Sequence, residues 1–314
     1  MGRGKTVLDN GCGMSSADFG VASSGVFFLE RELQCRLQQF PISIADWQPL
    51  EVLHNSDNAI IFLAQNAQGQ QAAIKRFKFD VQAVALSRVA HFLRDCRALG
   101  LSEQPGLVHL WDAGVNHQAI YLVMEYVHGD TLKNHLATLS LPALAQRLRW
   151  FSELLAVLGR VHAAGLLHRD LKTSNILVRN DQSLVLLDFG METQLLVEAG
   201  FLHEDEIYCT PYYVSPERLL GEPADVRTDL YALGVIFYEL LVGQKPYEGR
   251  SLAEILKKQA LAPIPQLPLW VARYQPLLNG LLAKFPENRL PSVTAVVHML
   301  HEIQGEDSFG GVQV

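Results

Sequence analysis

The sequence predicts an α+β protein of two lobes, a small β-rich lobe followed by a larger α-helical lobe. Between residues 46 and 125 the apolar residues mostly follow the alternation of β-strands, and after residue 129 they mostly recur at helical spacing. The chain has 314 residues, more than one core usually serves. Apolar residues make up 49% of it, which is enough for a large core.

The first lobe is predicted to contain three strands and one helix. The strands are Ala59–Ala64, Gln71–Phe77 and Ile120–Glu125, and Gly69 marks a hairpin between the first two. Helical spacing over Val81–Leu99 interrupts the strand pattern. A sheet with one inserted helix is therefore expected in this lobe.

The second lobe is predicted to be mostly helical. Two short strands are expected near Ile176–Val178 and Leu184–Leu187. Apolar residues recur at helical spacing in five segments, which are 143–164, 227–242, 251–259, 275–283 and 291–303.

The two ends of the chain differ from the middle. Residues 1–45 are predicted to form an extension, a flexible arm followed by a short amphipathic helix at 25–40. That helix would pack on the main domain or serve as a docking or dimer helix. Residues 46–303 form the predicted main domain, and the polar tail 304–314 is expected to be disordered.

Composition excludes several classes of protein. A net charge of −7 disfavours a nucleic-acid binder and a polybasic membrane anchor. The four cysteines are scattered without a Cys-x-x-Cys pair, which favours a reducing compartment. The longest apolar stretch, Leu230–Val242, is interrupted by Glu239 and is typical of a buried helix rather than a membrane span. A cytoplasmic protein without a nucleic-acid or membrane partner is expected.

Residues 168–175, His-Arg-Asp-Leu-Lys-Thr-Ser-Asn, carry the strongest chemical signal. Phosphoryl transfer to a hydroxyl needs a carboxylate that orients the nucleophile, a cation near the moving phosphate and oxygen ligands for Mg²⁺. Asp170 can supply the carboxylate, Lys172 the cation and Asn175 a metal ligand.

Two further segments fit the same chemistry. Asp188 follows the apolar run Leu184–Leu187 and precedes Phe189 and Gly190, which suits a metal ligand delivered at a strand end. Taken alone, Asp188 would be a turn residue that closes a hairpin. Lys75 ends an alternating strand and could hold phosphates; taken alone, it would be an exposed surface lysine.

In this order and spacing, these three segments resemble the protein kinase superfamily, and the overall pattern is most similar to the eukaryotic-like serine/threonine kinases of bacteria. The resemblance covers about residues 48–303. It implies a bilobal protein kinase-like fold, with an N-lobe at about 46–125 and a C-lobe at about 129–303.

Further segments extend the resemblance. Residues 124–127 look like the hinge between the lobes, and residues 210–217 look like the end of the activation segment. Residues 229–234 look like the buried helix whose aspartate braces the catalytic loop. Arg289 looks like the partner of Glu217.

The resemblance implies ATP as the phosphate donor, with Mg²⁺ or Mn²⁺. Lys75, positioned by Asp95, would hold the α- and β-phosphates, and Asn175 and Asp188 would bind the metal. The residues that it assigns to the nucleotide pocket, including the gatekeeper Met124, are Leu53, Ser56, Ile61, Ala73, Met124, Glu125, Val127 and Leu177.

The resemblance also implies the acceptor. Asp170 would orient a hydroxyl, and Lys172 would stabilise charge on the γ-phosphate. Lys172 and Thr210 are similar to residues of serine/threonine kinases, so the expected partners are proteins with serine or threonine acceptors. Arg169, directly before Asp170, implies activation by an anion in the activation segment, which ends at Glu217. The substrate protein and the oligomeric state stay open.

The sequence departs from the family pattern at Cys209, where a glycine usually precedes the threonine, and in two places that concern the nucleotide. His54, Ser56 and Ala59 stand where the nucleotide-covering loop usually has glycines. Asp95 stands where a longer glutamate usually pairs with Lys75, unless it is only a surface acid. These departures keep one alternative open, a pseudokinase that binds nucleotide with little turnover.

A third functional class is a small-molecule kinase on the same fold. Thr210, Glu217 and Arg289 argue against it, since the resemblance gives them a role in shaping a groove for an extended peptide.

Overall fold

The computed structural model describes residues 47–56, 59–78, 104–116, 119–138, 140–187 and 211–305. Both helices predicted in the first hundred residues, 25–40 and 81–99, lie outside these ranges. So do Asp95, Asp188 and Thr210, and their roles stay predictions.

The first lobe is a five-stranded antiparallel sheet in the order β1-β2-β3-β5-β4. The three predicted strands are confirmed as β2, β3 and β5, although β2 runs two residues further than predicted. The bounds of the five strands are β1 Trp47–Asn55, β2 Ala59–Asn66, β3 Gln71–Phe77, β4 Leu110–Asn116 and β5 Ala119–Glu125.

The two strands that the sequence pattern does not predict are the edge strands. Most residues of β1 are exposed, so its sequence lacks a buried alternating set. Strand β4 contains Asp112 and Gly114, residue types that are depleted in strands. Both strands depend on pairing with a neighbour.

One face of this sheet forms a small apolar core. Its fully buried members are Ile60, Phe62, Ala64, Ala72, Ile74 and Val123. Trp47 stacks on Trp111 with ring centroids 5.9 Å apart, which joins the two edge strands against this core. Because successive residues of a strand face opposite sides, Ile61, Ala73 and Lys75 project from the other face.

The second lobe contains one short sheet, in the order β6-β7-β8, and the helices. All five predicted helices are confirmed within two residues at each end. The bounds are β6 Gly129–Thr131, α1 Leu132–Leu136, α2 Leu144–Ala163, β7 Ile176–Arg179, β8 Leu184–Leu186, α3 Pro216–Leu219, α4 Val226–Val242, α5 Leu252–Leu261, α6 Gln275–Leu282 and α7 Val293–Gly305.

The differences from prediction in this lobe lie in short elements and at one end. Strand β6 and helices α1 and α3 have at most five residues, too few to show a periodic pattern. Helix α7 ends at Gly305, so the first two residues of the predicted tail 304–314 are helical.

Helix α4 is the centre of the larger core. It begins at a capping box of Asp225 and Thr228, and it ends at Gly243, whose φ of 81° suits a glycine. Residues on every side of α4 are buried, and Phe237 stacks on Phe151 of α2 at 4.2 Å. Among the helices of the described residues, none combines the length and the apolar character that crossing a membrane requires.

Gly234 sets the distance between α4 and α6. A Cβ atom at this position would lie 2.8 Å from Cβ of Leu281 and 2.9 Å from a methyl carbon of Leu282. We expect Gly234→Ala to lower the free energy of unfolding by about 1–3 kcal/mol, because overpacking a dense core forces its neighbours to move. Urea denaturation would measure the change.

Gly305→Ala is the matched control, because nothing lies within 4 Å of a Cβ atom there. A loss at Gly234 no larger than that of the control would contradict close packing between the two helices.

Candidate active site

Asp170 is the centre of a polar cluster in the loop between α2 and β7. The Lys172 Nζ atom lies 2.6 Å from Asp170 Oδ2, and Asn175 Nδ2 donates to the same oxygen at 3.0 Å. Asn175 also donates to the main-chain oxygen of Asp170 at 2.9 Å. The structure therefore brings together the three polar residues that the sequence singles out in segment 168–175. The side chains of Asp170 and Lys172 are about a quarter exposed, so a substrate can reach them.

The backbone of this loop is held in an unusual conformation. Arg169 has a φ of 63°, in the left-handed region that few non-glycine residues adopt. The carboxylate of Asp229, on α4, accepts from the amides of His168 and Arg169 at 2.8 and 2.9 Å. His162 Nε2 lies 2.8 Å from the same carboxylate. Asp229 therefore braces the loop, as the resemblance implies.

We expect Asp229→Asn to loosen this loop. The substituted side chain has one acceptor oxygen for two amides, and its amide group would face a donor in a buried site, so the free energy of unfolding should fall by about 1–3 kcal/mol. Hydrogen exchange at the amides of His168 and Arg169 should accelerate more than exchange at the amides of α4. The control is Asp181→Asn, because Asp181 accepts a main-chain amide at an exposed turn. Equal effects of the two substitutions would contradict the brace.

The same loop positions the end of β8. His168 Nε2 lies 3.0 Å from the carbonyl oxygen of Leu187, and the Leu187 amide donates to the carbonyl of Asn175 at 2.8 Å. Residue 187 is therefore held next to Asn175. Asp188, which follows directly, lies outside the described residues.

The predicted nucleotide residues of the first lobe lie on the sheet face opposite its small core. Ala73 is paired with Met124, and Lys75 is paired with both Ile61 and Leu122. Lys75 is only 2% exposed, so the alternative of an exposed surface lysine is wrong. Its ammonium lies 5.4 Å from the ring centroid of Phe77.

The remaining predicted pocket residues belong to the connection between the lobes and to the flanking strands. The Glu125 amide donates to the carbonyl of His109 at 2.8 Å, and Val127 is buried. Leu177 is half-buried on β7, on the face away from the buried Ile176. Leu53, on β1, is 39% exposed.

The loop between β1 and β2 is a hairpin that hydrogen-bonds to itself. The Ser56 amide donates to the carbonyl of Ala59 at 2.9 Å, and the Ala59 amide donates to Ser56 Oγ at 3.2 Å. Glycine-rich loops present such amides to phosphate, whereas these two are used within the hairpin. Lys78 Nζ also donates to the Ser56 carbonyl, a contact that the strand pattern gives no sign of.

Glu217 and Arg289 form a buried, bidentate ion pair, as the resemblance implies. The nitrogens of Arg289 lie 2.7 and 2.5 Å from the two carboxylate oxygens, and both side chains are at most 4% exposed. Burial pushes the pKa of Glu217 up, but the hydrogen bonds and charge of Arg289 outweigh it, so the pKa lies below its usual value.

A second buried network, which the sequence pattern did not predict, adjoins the loop at 168–175. Tyr213 Oη lies 2.8 Å from Thr173 Oγ1 and donates to Glu239 at 2.8 Å. Lys245 is ion-paired with Glu239 at 2.6 Å. Burial raises the pKa of Glu239. The one signal in the sequence is the charge of Glu239 inside an apolar helix.

The cluster around Asp170 can orient a hydroxyl and hold an anionic group. A carboxylate next to an ammonium can accept a proton while the cation stabilises negative charge. The Nδ2 atom of Asn175 is engaged by Asp170, so its Oδ1 is the atom that fits a hard cation such as Mg²⁺. Within the described ranges, no group of three or more His, Cys, Asp or Glu residues could hold a metal ion.

Comparison with known proteins gives the same picture. The family model of the protein kinase domain matches residues 57–301. The chain is 29% identical over 225 residues to serine/threonine-protein kinase PrkC of Bacillus subtilis, with 71% of the chain covered. It is 36% identical over 216 residues to serine/threonine-protein kinase Pkn1 of Myxococcus xanthus, with 66% of the chain covered.

The matches cover one part of longer proteins. They account for 34% of the length of PrkC and 31% of the length of Pkn1, so the chain spans about a third of these curated relatives. The family model, however, covers well over half of the chain. The two lobes of the chain and its loop around Asp170 agree with that match. The chain therefore belongs to the protein kinase domain family.

Proposed function

We propose that this chain is an ATP-dependent serine/threonine protein kinase that also phosphorylates itself, with residues 46–303 as its catalytic unit. The observation that carries the proposal is the contact of Asp170 with both Lys172 and Asn175. The relatives, which are named serine/threonine-protein kinases, support the acceptor type.

The nucleotide would bind between the lobes. Its adenine would lie between Ala73 on the first lobe and Leu177 on the second, next to Met124. The main chain of Glu125 and Val127 would hydrogen-bond the adenine edge. This placement is supported by the pairing of Ala73 with Met124, which puts both residues next to each other in the sheet. Leu53 and Ile61 would cover the adenine from above.

The phosphates would meet the buried cation of the first lobe. Lys75 would hold the α- and β-phosphates, and Asp95 would position it. Ser56 would lie over the phosphates at the tip of the β1–β2 hairpin. Asn175 and Asp188 would hold Mg²⁺ or Mn²⁺, which neutralises phosphate charge when bound.

The transfer step would depend on the loop around Asp170. The carboxylate of Asp170 would orient the serine or threonine hydroxyl and accept its proton, and Lys172 would stabilise charge on the transferred phosphate. Arg169 would pair with an anion in the activation segment, whose end, from Thr210 to Glu217, would face the peptide.

The test is incorporation of label from γ-labelled ATP into the chain itself and into casein, with Mg²⁺, with Mn²⁺ and with a chelator. Labelled phosphoserine or phosphothreonine that requires the metal is the expected result. Label on tyrosine, or transfer to a small molecule only, would contradict the acceptor type. Nucleotide that raises the Tm without any transfer would overturn the kinase proposal in favour of a pseudokinase.

A further inference from the structure

Three residues, 126–128, connect the sheets of the two lobes, and we call them the hinge segment. Strand β5 of the first lobe ends at Glu125, and strand β6 of the second lobe begins at Gly129. Any rotation of one lobe against the other must be absorbed in or near this short connection.

An ion pair runs beside the hinge segment. Arg179 Nη2 lies 2.6 Å from Glu125 Oε1. Glu125 is the last residue of the first lobe's sheet, whereas Arg179 ends β7 in the second lobe, where it is paired with Gly129. The ion pair therefore joins the two residues that anchor the ends of the hinge segment.

Both ends of the hinge segment are fixed to their own sheets. At the first end, Glu125 is paired with Ala72 of β3. At the second end, a Cβ atom on Gly129 would lie 2.2 Å from the carbonyl oxygen of Val178, so only a glycine permits this approach to β7. Because both ends are held by strand pairing, we expect rotation of one lobe against the other to change the distance between Glu125 and Arg179.

The space beside the hinge segment is open. A cavity of about 440 Å³ lies there, lined by Tyr126, His128, Asp130, His135 and Arg179 among others. Because side chains do not fill this space, packing on that side offers little resistance to movement of the hinge segment. Arg179, which forms the ion pair with Glu125, is one of the residues that line this cavity.

We propose that Arg179 is a positioning residue that braces the hinge segment through Glu125 and thereby slows nucleotide release. The inference rests on the proposed function, in which the main chain of Glu125 meets the adenine edge. Both side chains are about one-third exposed, so the pair contributes little to folding stability. Opening of the lobes, in contrast, would break it.

The experiment uses the full chain and a fluorescent ADP analogue, whose dissociation is followed by stopped flow. Arg179→Gln and Glu125→Gln should each accelerate dissociation about three- to fivefold, as expected for loss of a partly exposed ion pair. The exchanged double variant Glu125→Arg/Arg179→Glu should return the rate to within about twofold of the wild type. High salt should accelerate release in the wild type and not in the single variants.

The matched control is Arg149→Gln, which removes an exposed Arg–Glu pair on α2, far from the hinge segment in sequence. It should leave the release rate unchanged. For Arg179→Gln, the rate of phosphate transfer in a single turnover at saturating ATP should also be unchanged, whereas a general loss of structure would lower it.

An unchanged release rate in both single variants, or no recovery in the exchanged variant, would overturn the proposed role of Arg179 and leave the kinase proposal intact. The wild type could instead bind ADP and transfer no phosphate, while the single variants release ADP faster. That result would support the role of Arg179 at the hinge segment and contradict the proposed function. A wild-type chain that binds no nucleotide would overturn both.

Discussion

Asp170→Asn is expected to lower kcat for protein phosphorylation by about 10²–10⁴-fold, the range typical of a general base. Asparagine has the shape of aspartate, so it can keep a hydrogen bond from Asn175. It has no negative charge, however, and cannot accept the proton of the acceptor hydroxyl. The Kd for ATP should stay within about twofold, because the proposed role of Asp170 is with the acceptor.

Single-turnover transfer and ATP titration on the same preparations would separate these two quantities. Asp181→Asn serves as the control, since Asp181 is an exposed acid in the turn after β7, which ends at Arg179. Its activity should match the wild type. Equal loss of ATP affinity and kcat in Asp170→Asn would instead point to a collapsed nucleotide site, and full activity would remove Asp170 from the mechanism.

Arg289→Met should lower the free energy of unfolding by about 3–5 kcal/mol, because it leaves a buried carboxylate without its counter-charge. Arg289 holds Glu217 with two nitrogens, and it also donates to the carbonyls of Ala283 and Arg227. A loss of this size is a large part of the free energy of unfolding of a typical domain, which is about 5–15 kcal/mol. Urea denaturation at pH 7 would measure it.

In Arg289→Met, the contribution of Glu217 to the pH dependence of the free energy of unfolding should change sign. In the wild type the pKa of Glu217 is lowered. The contribution of Glu217 to folding stability is therefore complete above the ordinary pKa of 4.5, and it is lost as pH falls through the lowered pKa. Without Arg289, burial of Glu217 raises the pKa instead. The variant should then lose stability as pH rises above about 4.5, where the wild type does not.

Arg149→Met is the control for Arg289→Met, since its partner Glu153 forms an exposed pair one helical turn away. Its cost should stay within about 1 kcal/mol at any pH. An equal cost for the two variants would show that Glu217 is stabilised by its other partners, Thr228 among them.

Local features of the chain carried most of the prediction. The five long helices follow from periodic apolar residues, because a helix buries one face whose members recur every three or four residues. The loop at 168–175 was predictable because its three reactive residues lie within six positions, so a short turn brings them together.

Edge strands and short elements could not be predicted in this way. Strand β1 is mostly exposed, and β4 contains residues that disfavour strands, so each is stabilised by its neighbour rather than by its own pattern. The hairpin at Ser56 is similar, because the absence of glycines was evident from the sequence whereas the use of its amides within the turn was not.

The fold class, the positions of the long helices and the polar groups of the loop at 168–175 could be predicted from sequence alone, since all of these depend on residues close together in the chain. Which distant side chains meet is evident only in the folded protein, where Arg179 contacts Glu125 across 54 positions and Tyr213 contacts Thr173 across 40. No local pattern encodes such pairs, because each depends on the packing of several elements, and for Arg179 and Glu125 of both lobes, to bring two buried or half-buried polar groups within hydrogen-bonding distance.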